Sequence, residues 1–294
     1  MPVAGERAVR SAIVTADDFG LSRAVNAGII RSHRDGVLTA TSLMVTGAAR
    51  DEAAALAREY PALDLGLHLV VCRGRAVRIE QLRGVVDAAG EFARNPALAG
   101  MRYFFNPRVR TLLRDEFRAQ IELQLELIGV IGHIDGHLNF HVHPSIAAML
   151  GELIAEYDIR AVRIPREPVF TTLSLARDHV SRKLIEAVIF RTLSRRARRI
   201  FTEAGAHSSD WLFGLHQSGN LSETYIAGII ERLRPGLTEL YFHPCDDDPD
   251  GGPGVAAGLR EAAILTSPRM REALRAARVE LTNFATLHRV SQHA

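Results

Sequence analysis

The order of apolar runs along the chain is the feature that most limits the fold. Short runs rich in β-branched residues alternate with longer stretches of helical periodicity, without a fixed-length repeat or a low-complexity linker. Parallel strands joined by crossover helices produce this alternation. The candidate strands are residues 10–16, 39–47, 63–71, 133–140, 160–167, 211–217, 238–244 and, with a weaker pattern, 279–287.

The clearest helical pattern covers residues 114–129. Apolar side chains recur there at Phe117, Ile121, Leu125 and Ile128, which places them on one face of a helix. Gly129 stands where a helix commonly ends, because glycine adopts the left-handed conformation of a C-terminal cap without strain.

Seven or eight β/α units within 294 residues favour an α/β fold of the (β/α) barrel-like type, with mostly parallel strands and outer helices. An open doubly wound sheet usually has fewer strands and a glycine-rich phosphate turn after its first strand, and no such turn follows residue 16. We therefore predict one domain over residues 1–294. Within it we expect a substrate-side arm at about 72–108 and a basic helical segment at about 172–205.

Composition excludes several classes of function. The net charge is +2, with 36 basic and 34 acidic side chains, so nothing indicates a nucleic-acid partner. No window reaches the roughly 18 apolar residues that a membrane span needs, and the N-terminal residues contain no long uninterrupted apolar stretch before the first charges. The two cysteines lack the spacing of a disulfide framework or a ligand pair. A cytoplasmic protein is expected, with the oligomeric state left open.

Polar side chains stand at the carboxyl ends of the predicted strands. Barrel enzymes place their chemistry at that end of the barrel, so these side chains should converge on one rim. They are Asp17 and Asp18 after the first strand, His68 after the third, His137 and His141 after the fourth, Arg163 after the fifth, His216 after the sixth and His243 after the seventh.

Two adjacent carboxylates, Asp17 and Asp18, follow the first buried strand. They would repel each other unless a metal ion or another cation neutralises one of them. A single aspartate at such a place often caps a helix, but Ser22 is available for that role. The pair therefore favours a functional site over a cap.

The segment "HIDGHLNFHVHP", residues 133–144, holds four histidines and one aspartate. Such density is typical of metal binding or acid–base chemistry. On a strand, His133, Asp135 and His137 would share one face, and a later turn would return His141 toward it. His133 and Asp135 are also compatible with the two-histidine, one-carboxylate set of an iron(II) oxygenase. That interpretation leaves Asp17 and Asp18 unexplained, and a sugar-binding protein without turnover is a third alternative.

Five motifs resemble those of the YdjC-like carbohydrate deacetylases in order and approximate spacing, over nearly the whole chain. They are "TADDFG" at 15–20, "GLHL" at 66–69, "HIDGHLNFH" at 133–141, "VRIPREP" at 162–168 and "ELYFHPCDD" at 239–247. The arm sequences "RGRAVRIEQLRGVVDAAGEF" and "MRYFFNPRVR" are most similar to the hopanoid-biosynthesis-associated subgroup of that family.

The resemblance implies a barrel-like fold and removal of an acetyl group from an N-acetylated amino sugar, here one linked to a hopanoid lipid. It implies one divalent metal ion held by Asp18, His68 and His137, with Asp17 as the catalytic base. Residue types allow magnesium or zinc, and also manganese, cobalt or nickel. The catalytic set would include His243 as the acid and Arg163 as the residue that orients the base. Asp135, His141 and His216 are the remaining candidates, for tuning a ligand or contacting the sugar.

Residues 177–199 carry eight basic side chains against two acidic ones, interleaved with apolar residues. A basic amphipathic helix of this kind can lie on an anionic membrane surface, and it can equally be an outer barrel helix with a solvated face. The aromatic group Tyr103, Phe104 and Phe105 likewise fits an apolar groove or the core.

Overall fold

A computed structural model of the chain describes residues 9–248 and 254–287. The predicted α/β fold with parallel strands is confirmed: seven parallel strands form one curled sheet surrounded by helices. The sheet order is β4-β3-β2-β1-β6-β5, and β7 pairs with the first half of β1. The strands are β1 Arg10–Phe19, β2 Ala40–Leu43, β3 Asp64–Leu69, β4 Ile134–Gly136, β5 Trp211–Phe213, β6 Gly236–Phe242 and β7 Val279–Thr282.

Ten α-helices are found among the described residues, most of them in the connections between strands. They are α1 Arg23–Arg34, α2 Arg50–Glu59, α3 Pro96–Phe105, α4 Pro107–Ile128, α5 Pro144–Glu156, α6 Val169–Leu175, α7 Val180–Glu203, α8 Glu223–Glu231, α9 Val255–Thr266 and α10 Pro268–Ala276.

The helix expected at 114–129 is confirmed as the greater part of α4, and Gly129 ends it with a φ of 84°. Ser22 is the N-cap of α1, as its position after β1 allowed: its side chain accepts a hydrogen bond from the backbone N–H of Val25. The aspartate pair is therefore not needed as the cap of this helix.

The predicted strand at 160–167 is wrong as a regular element. Only isolated bridges form there, where Ile134 N–H donates to the carbonyl of Ala161 and Val162 N–H donates to the carbonyl of His207, both at 2.9 Å. The physical reason is proline: Pro165 has no N–H to donate to a ladder. The bridged segment nevertheless spans the gap between β4 and β5, so the sheet curls toward a barrel.

The predicted strand at 133–140 is shorter than expected. It ends at Gly136, and a 3-10 helix, His137–Val142, follows at once. Leu138 and Asn139 adopt positive φ angles of 55° and 57° within it, which a strand does not allow. His137 thus lies on a turn rather than on a shared strand face with Asp135. The weak pattern at 279–287 likewise forms a strand only as far as Thr282.

Side-chain alternation divides the core into two parts. Along β1, Ala12, Val14 and Ala16 pack with the helices in the larger apolar cluster. Ile13 belongs to a small inner cluster with Phe284, which fills the end of the barrel where the strands begin. Strand residues alternate between the two faces of the sheet, so every second residue of a strand points inward. These inward residues are apolar where the strands begin and polar at the opposite rim, where the strands end.

The predicted arm contains α3 and long irregular stretches. Tyr103 is buried and its hydroxyl donates to the carbonyl of Val71 at 2.6 Å, whereas Phe104 and Phe105 are exposed. The predicted basic segment consists mainly of α6 and α7. No helix within the described ranges is both long and apolar enough to cross a membrane. The first eight residues, on which the expectation of a cytoplasmic chain partly rests, lie outside those ranges.

Candidate metal centre and active site

The inward positions of four strands supply the polar groups at the carboxyl rim. Asp17 follows Ile13 and Thr15 at intervals of two residues, which keeps it on the inner face of β1. The same alternation brings in Ser42 from β2, His68 from β3 and Asp135 from β4. All four are buried.

Asp18 reaches the same pocket only because the backbone is irregular. In a regular strand it would point away from Asp17. The register between β1 and β2 shifts between Ala16 and Phe19, and Asp18 has a φ of 67°. This bulge with a left-handed residue turns the second carboxylate toward the site, which explains how two adjacent aspartates serve one rim.

Asp18, His68 and His137 form a compact group of possible metal donors. Oδ1 of Asp18 lies 3.2 Å from Nε2 of His68 and 3.0 Å from Nδ1 of His137. The two imidazole nitrogens lie 3.3 Å apart. Asp18 and His137 are partly exposed, so the group is open to solvent on one side.

These distances fit a divalent cation. Donors at ordinary metal distances lie about 3.3 Å apart around tetrahedral zinc and about 3.0 Å apart around octahedral magnesium. Three carboxylates, those of Asp17, Asp18 and Asp135, surround the pocket, and Arg163 pairs with two of them, so the local potential also favours a cation. The donor set agrees with either metal and selects neither.

The hydrogen bonds of His68 fix which nitrogen faces the group. Its Nδ1 donates to Oδ1 of Asp135 at 2.7 Å, and the hydroxyl of Ser42 lies 3.1 Å from the same nitrogen. Nε2 is therefore directed toward Asp18 and His137. A carboxylate behind a histidine in this way orients the ring and makes it a better ligand.

Charge in the pocket shifts two of these groups. Burial lowers the pKa of His68, but the charge and hydrogen bond of Asp135 outweigh it and raise the pKa well above the usual value. Burial raises the pKa of Asp18, but His137 and His68 lower it to well below the usual value. Both directions reflect a pocket that stabilises positive charge.

Arg163 connects the carboxylates behind the donor group. Its two terminal nitrogens bond one oxygen each of Asp17, at 2.7 and 2.8 Å, and one of them also lies 2.8 Å from Asp135. Its Nε donates to Glu239 at 2.7 Å. The guanidinium is 1% exposed and stacks over the ring of Tyr241.

Burial has different outcomes for these acids. For Asp135, burial raises the pKa, but the charge of Arg163 outweighs it and the pKa is lowered. For Glu239, burial dominates and raises the pKa to about 7, although Arg163 opposes it. Asp135 is therefore held ionised, while Glu239 titrates near neutrality.

His243 lies at the carboxyl rim, beside Asp17. Its Nε2 lies 3.9 Å from Oδ2 of Asp17, and its side chain is 36% exposed. Its backbone N–H donates to the buried carboxylate of Glu261 at 2.6 Å, which fixes the turn after β6. The ring can thus meet a molecule that enters the site from solvent.

The other predicted residues lie behind or beside the pocket. His141 is 1% exposed, and its Nε2 donates to the carbonyl of Arg163 at 2.9 Å. His216 is also buried and lies beside α7, with Nδ1 3.5 Å from Glu186. His133 stacks on Phe284 with ring centroids 3.8 Å apart, at the opposite end from the rim. No metal-donor group among the described residues includes His133, so the oxygenase set does not form.

Sequence reasoning did not identify Ser42, Glu239, Tyr241 and Glu261. A signal existed for two of them, because Glu239 and Tyr241 precede His243 at intervals of two on the same strand. A glutamate on the inner face of an apolar strand needs a buried partner, and Arg163 is that partner.

Comparison with known proteins identifies the family of the chain. Residues 11–276 match the model of the YdjC-like protein family. The chain belongs to this family.

Three similar proteins are named as deacetylases. A carbohydrate deacetylase from Geobacillus stearothermophilus is 29% identical over 286 residues, covering 96% of this chain and 99% of that protein. A chitooligosaccharide deacetylase from Salmonella paratyphi B is 32% identical over 205 residues, covering 65% of this chain and 77% of that protein. A carbohydrate deacetylase from Brevibacillus brevis is 37% identical over 153 residues, and the match spans 58% of its length.

A solved structure from Enterococcus faecalis shares the fold. Its name assigns it to cellobiose-phosphate cleavage, and it superposes with a TM-score of 0.75 over 95% of this chain and 99% of its own. At 23% identity, this similarity establishes the architecture alone.

Proposed function

We propose that the protein is a divalent-metal-dependent deacetylase that removes the acetyl group from an N-acetylated amino sugar. One juxtaposition carries the proposal: the donor group of Asp18, His68 and His137 stands beside Asp17, whose carboxylate Arg163 holds in place. The relatives named carbohydrate and chitooligosaccharide deacetylases support the same substrate class.

Asp18, His68 and His137 would hold the metal ion, with Oδ1, Nε2 and Nδ1 as the donor atoms. When bound, such an ion acts as a Lewis acid that acidifies water and polarises an amide carbonyl. Asp135 would orient His68 for this role through the hydrogen bond at Nδ1.

Asp17 would act as the general base. Each of its oxygens accepts one bond from Arg163, which leaves a second lone pair on each for a proton from water. The bidentate contact fixes the orientation of the carboxylate. Asp17 and Asp18 therefore have separate roles although they are adjacent.

His243 would donate a proton to the departing amine. Its position beyond Asp17 and its exposed ring suit an acid that meets the leaving group. As water attacks, a C–O bond forms and the amide C–N bond breaks, and the nitrogen takes the proton from His243. The products are acetate and a free amino sugar.

Three predicted residues receive supporting roles. Asp135 and His141 are buried against His68 and Arg163, so we assign them to positioning rather than to contact with the sugar. His216 borders the cavity beside α7 and is retained as a substrate-side residue.

For the substrate itself, we propose N-acetylglucosamine linked to a hopanoid lipid. The similarity of the arm, residues 73–92 and 101–110, to the hopanoid-associated subgroup supports this choice. A soluble N-acetylated oligosaccharide is the second candidate, favoured by the name of the Salmonella relative.

The test measures acetate release from both substrates by metal-loaded protein, across magnesium, zinc, manganese, cobalt and nickel. Asp17→Asn removes the proposed base but retains its shape, and we expect it to lower the rate by about a thousandfold. Asp51→Asn, at an exposed position on α2, is the matched control and should retain the wild-type rate.

The outcomes separate the alternatives. Release from the oligosaccharide alone would reject the lipid-linked substrate and retain the deacetylase. Sugar binding without acetate release under every metal would indicate a binding protein instead. A fully active Asp17→Asn variant would remove Asp17 from the mechanism.

A further inference from the structure

Helix α7 leaves the N-terminal part of its surface uncovered. Leu184, Ile185, Val188 and Ile189 are 39%, 62%, 68% and 50% exposed. Their spacing places them on one face of the helix. Phe170 of α6 is 79% exposed and borders the same surface. A cluster of this kind marks a surface that contacts a partner, a ligand or a membrane.

A cavity of about 610 Å³ opens beside this face. It lies between α6, α7 and residues 164–168, and we call it the α7 groove. Its volume is in the range of sites that hold small apolar ligands. Its apolar lining includes Ile164, Phe170, Leu184, Val188, Trp211 and Leu215.

Basic side chains predominate around the α7 groove, and the carboxylate of Glu167, which also lines it, accepts hydrogen bonds from the backbone of Leu215 and His216. Arg166, Arg191, Arg195 and Arg198 line it, and Arg196 is an exposed neighbour. Within the described part of the chain, Arg191, Arg195 and Arg196 form no ion pair. The Nε of Arg198 is buried and has no hydrogen-bond partner among the described residues. A ligand for this surface must therefore combine hydrocarbon with negative charge.

A second copy of the chain fits this surface poorly. Two-fold symmetric association brings the same patch of both copies together. It would set the arginines of α7 against one another or against the apolar half of the partner helix, and both arrangements are unfavourable. Anionic phospholipids offer the complementary combination, because acyl chains meet the apolar residues and phosphates meet the arginines.

We infer that the α7 groove docks the protein on an anionic phospholipid surface, with hydrocarbon entering the cavity beside Trp211. Helix α7 also packs against the 3-10 helix that begins with His137, so docking would bring the rim near the lipid. That last consequence, access to a lipid-linked substrate, rests on the proposed function. The docking itself does not.

The experiment uses the full chain and vesicles without any sugar substrate, so its result is independent of acetate release. We expect co-sedimentation with vesicles of phosphatidylcholine and phosphatidylglycerol, and about tenfold weaker binding to phosphatidylcholine alone or at high salt. Val188→Asp should weaken binding about tenfold or more. Val130→Asp is the matched control, because Val130 is 51% exposed but lies before β4, at the opposite end of the barrel.

Trp211 gives a second readout because it is the only tryptophan in the chain. Lipids with brominated acyl chains should quench its fluorescence in the wild type and much less in Val188→Asp. Equal binding by Val188→Asp, binding without quenching, or no binding to anionic vesicles at low salt would each overturn the inference. A dimer in solution that Val188→Asp dissociates would assign the surface to a second copy instead.

Discussion

The guanidinium of Arg163 holds both oxygens of Asp17, at 2.7 and 2.8 Å, in a site where both side chains are buried. The two residues are 146 positions apart, and Arg163 lies on a segment held by isolated bridges rather than in a strand. The orientation of the proposed base thus depends on the segment that spans the gap in the sheet.

Arg163→Lys should lower the rate of acetate release by about a hundredfold, because an ammonium group cannot replace the planar two-point contact with Asp17. The lysine retains the charge, so the fold should survive. Steady-state kinetics on the metal-loaded variant measure the loss. Arg160→Lys, at a partly exposed position three residues earlier, is the control. Equal rates for the two variants would contradict the role of the two-point contact between Arg163 and Asp17.

Asp135→Asn should weaken metal affinity about tenfold to a hundredfold, because it removes the charge behind the imidazole of His68. Ser42→Ala, which removes only a neutral contact at 3.1 Å, should have a smaller effect. Competition with a chelator under zinc or magnesium measures both affinities. If Ser42→Ala proved as damaging as Asp135→Asn, the carboxylate would not be the main orienting group.

His141 should make folding stability depend on pH. Burial lowers its pKa to about 4, below the value near 6.5 of the unfolded chain. The neutral ring therefore contributes stability fully above about pH 6.5, and this contribution falls as the pH drops toward 4, by on the order of 3 kcal/mol at the limit. Urea unfolding between these pH values should show a shallower dependence in His141→Gln. If the pH dependence of the unfolding free energy were the same in His141→Gln, His141 would not be its source.

Gly28→Ala should destabilise the fold by about 1–3 kcal/mol, because the new methyl group would lie 2.4 Å from the Cα of Cys245. The backbone that the new methyl group would displace lies two residues after His243, so the rate of acetate release should fall as well. Gly254→Ala is the control, since its methyl group would have none of the described atoms within 4 Å. Urea denaturation compares the free energies of unfolding, and equal values would show that the backbone yields without cost.

The sequence permitted prediction of the parts of the site that depend on local pattern. The apolar runs before Asp17, His68 and His243 located β1, β3 and β6 and the rim where they end. Gly129 marked the end of α4 because its requirement is local. The parallel strands and outer helices were predicted from the alternation of short apolar runs with helical patterns along the chain.

Long-range pairing could not be predicted in the same way. Whether Asp135 binds a metal or orients His68 depends on a contact across two strands, and spacing along one strand does not reveal it. The partnership of Glu239 with Arg163 joins residues 76 positions apart. Pro165 prevented the strand expected at 160–167, although the apolar pattern of that segment correctly indicated burial. An apolar pattern indicates which residues are buried, but it does not show which backbone groups can form hydrogen bonds.

The left-handed backbone of Asp18 sets folding and function against each other at a single position. A φ of 67° costs an aspartate free energy that glycine would not incur, so Asp18→Gly should relieve strain in the turn after β1 while deleting a donor. In a library of variants screened only for resistance to heat, position 18 should drift toward glycine. Recovery of aspartate there would require that the screen also select for turnover.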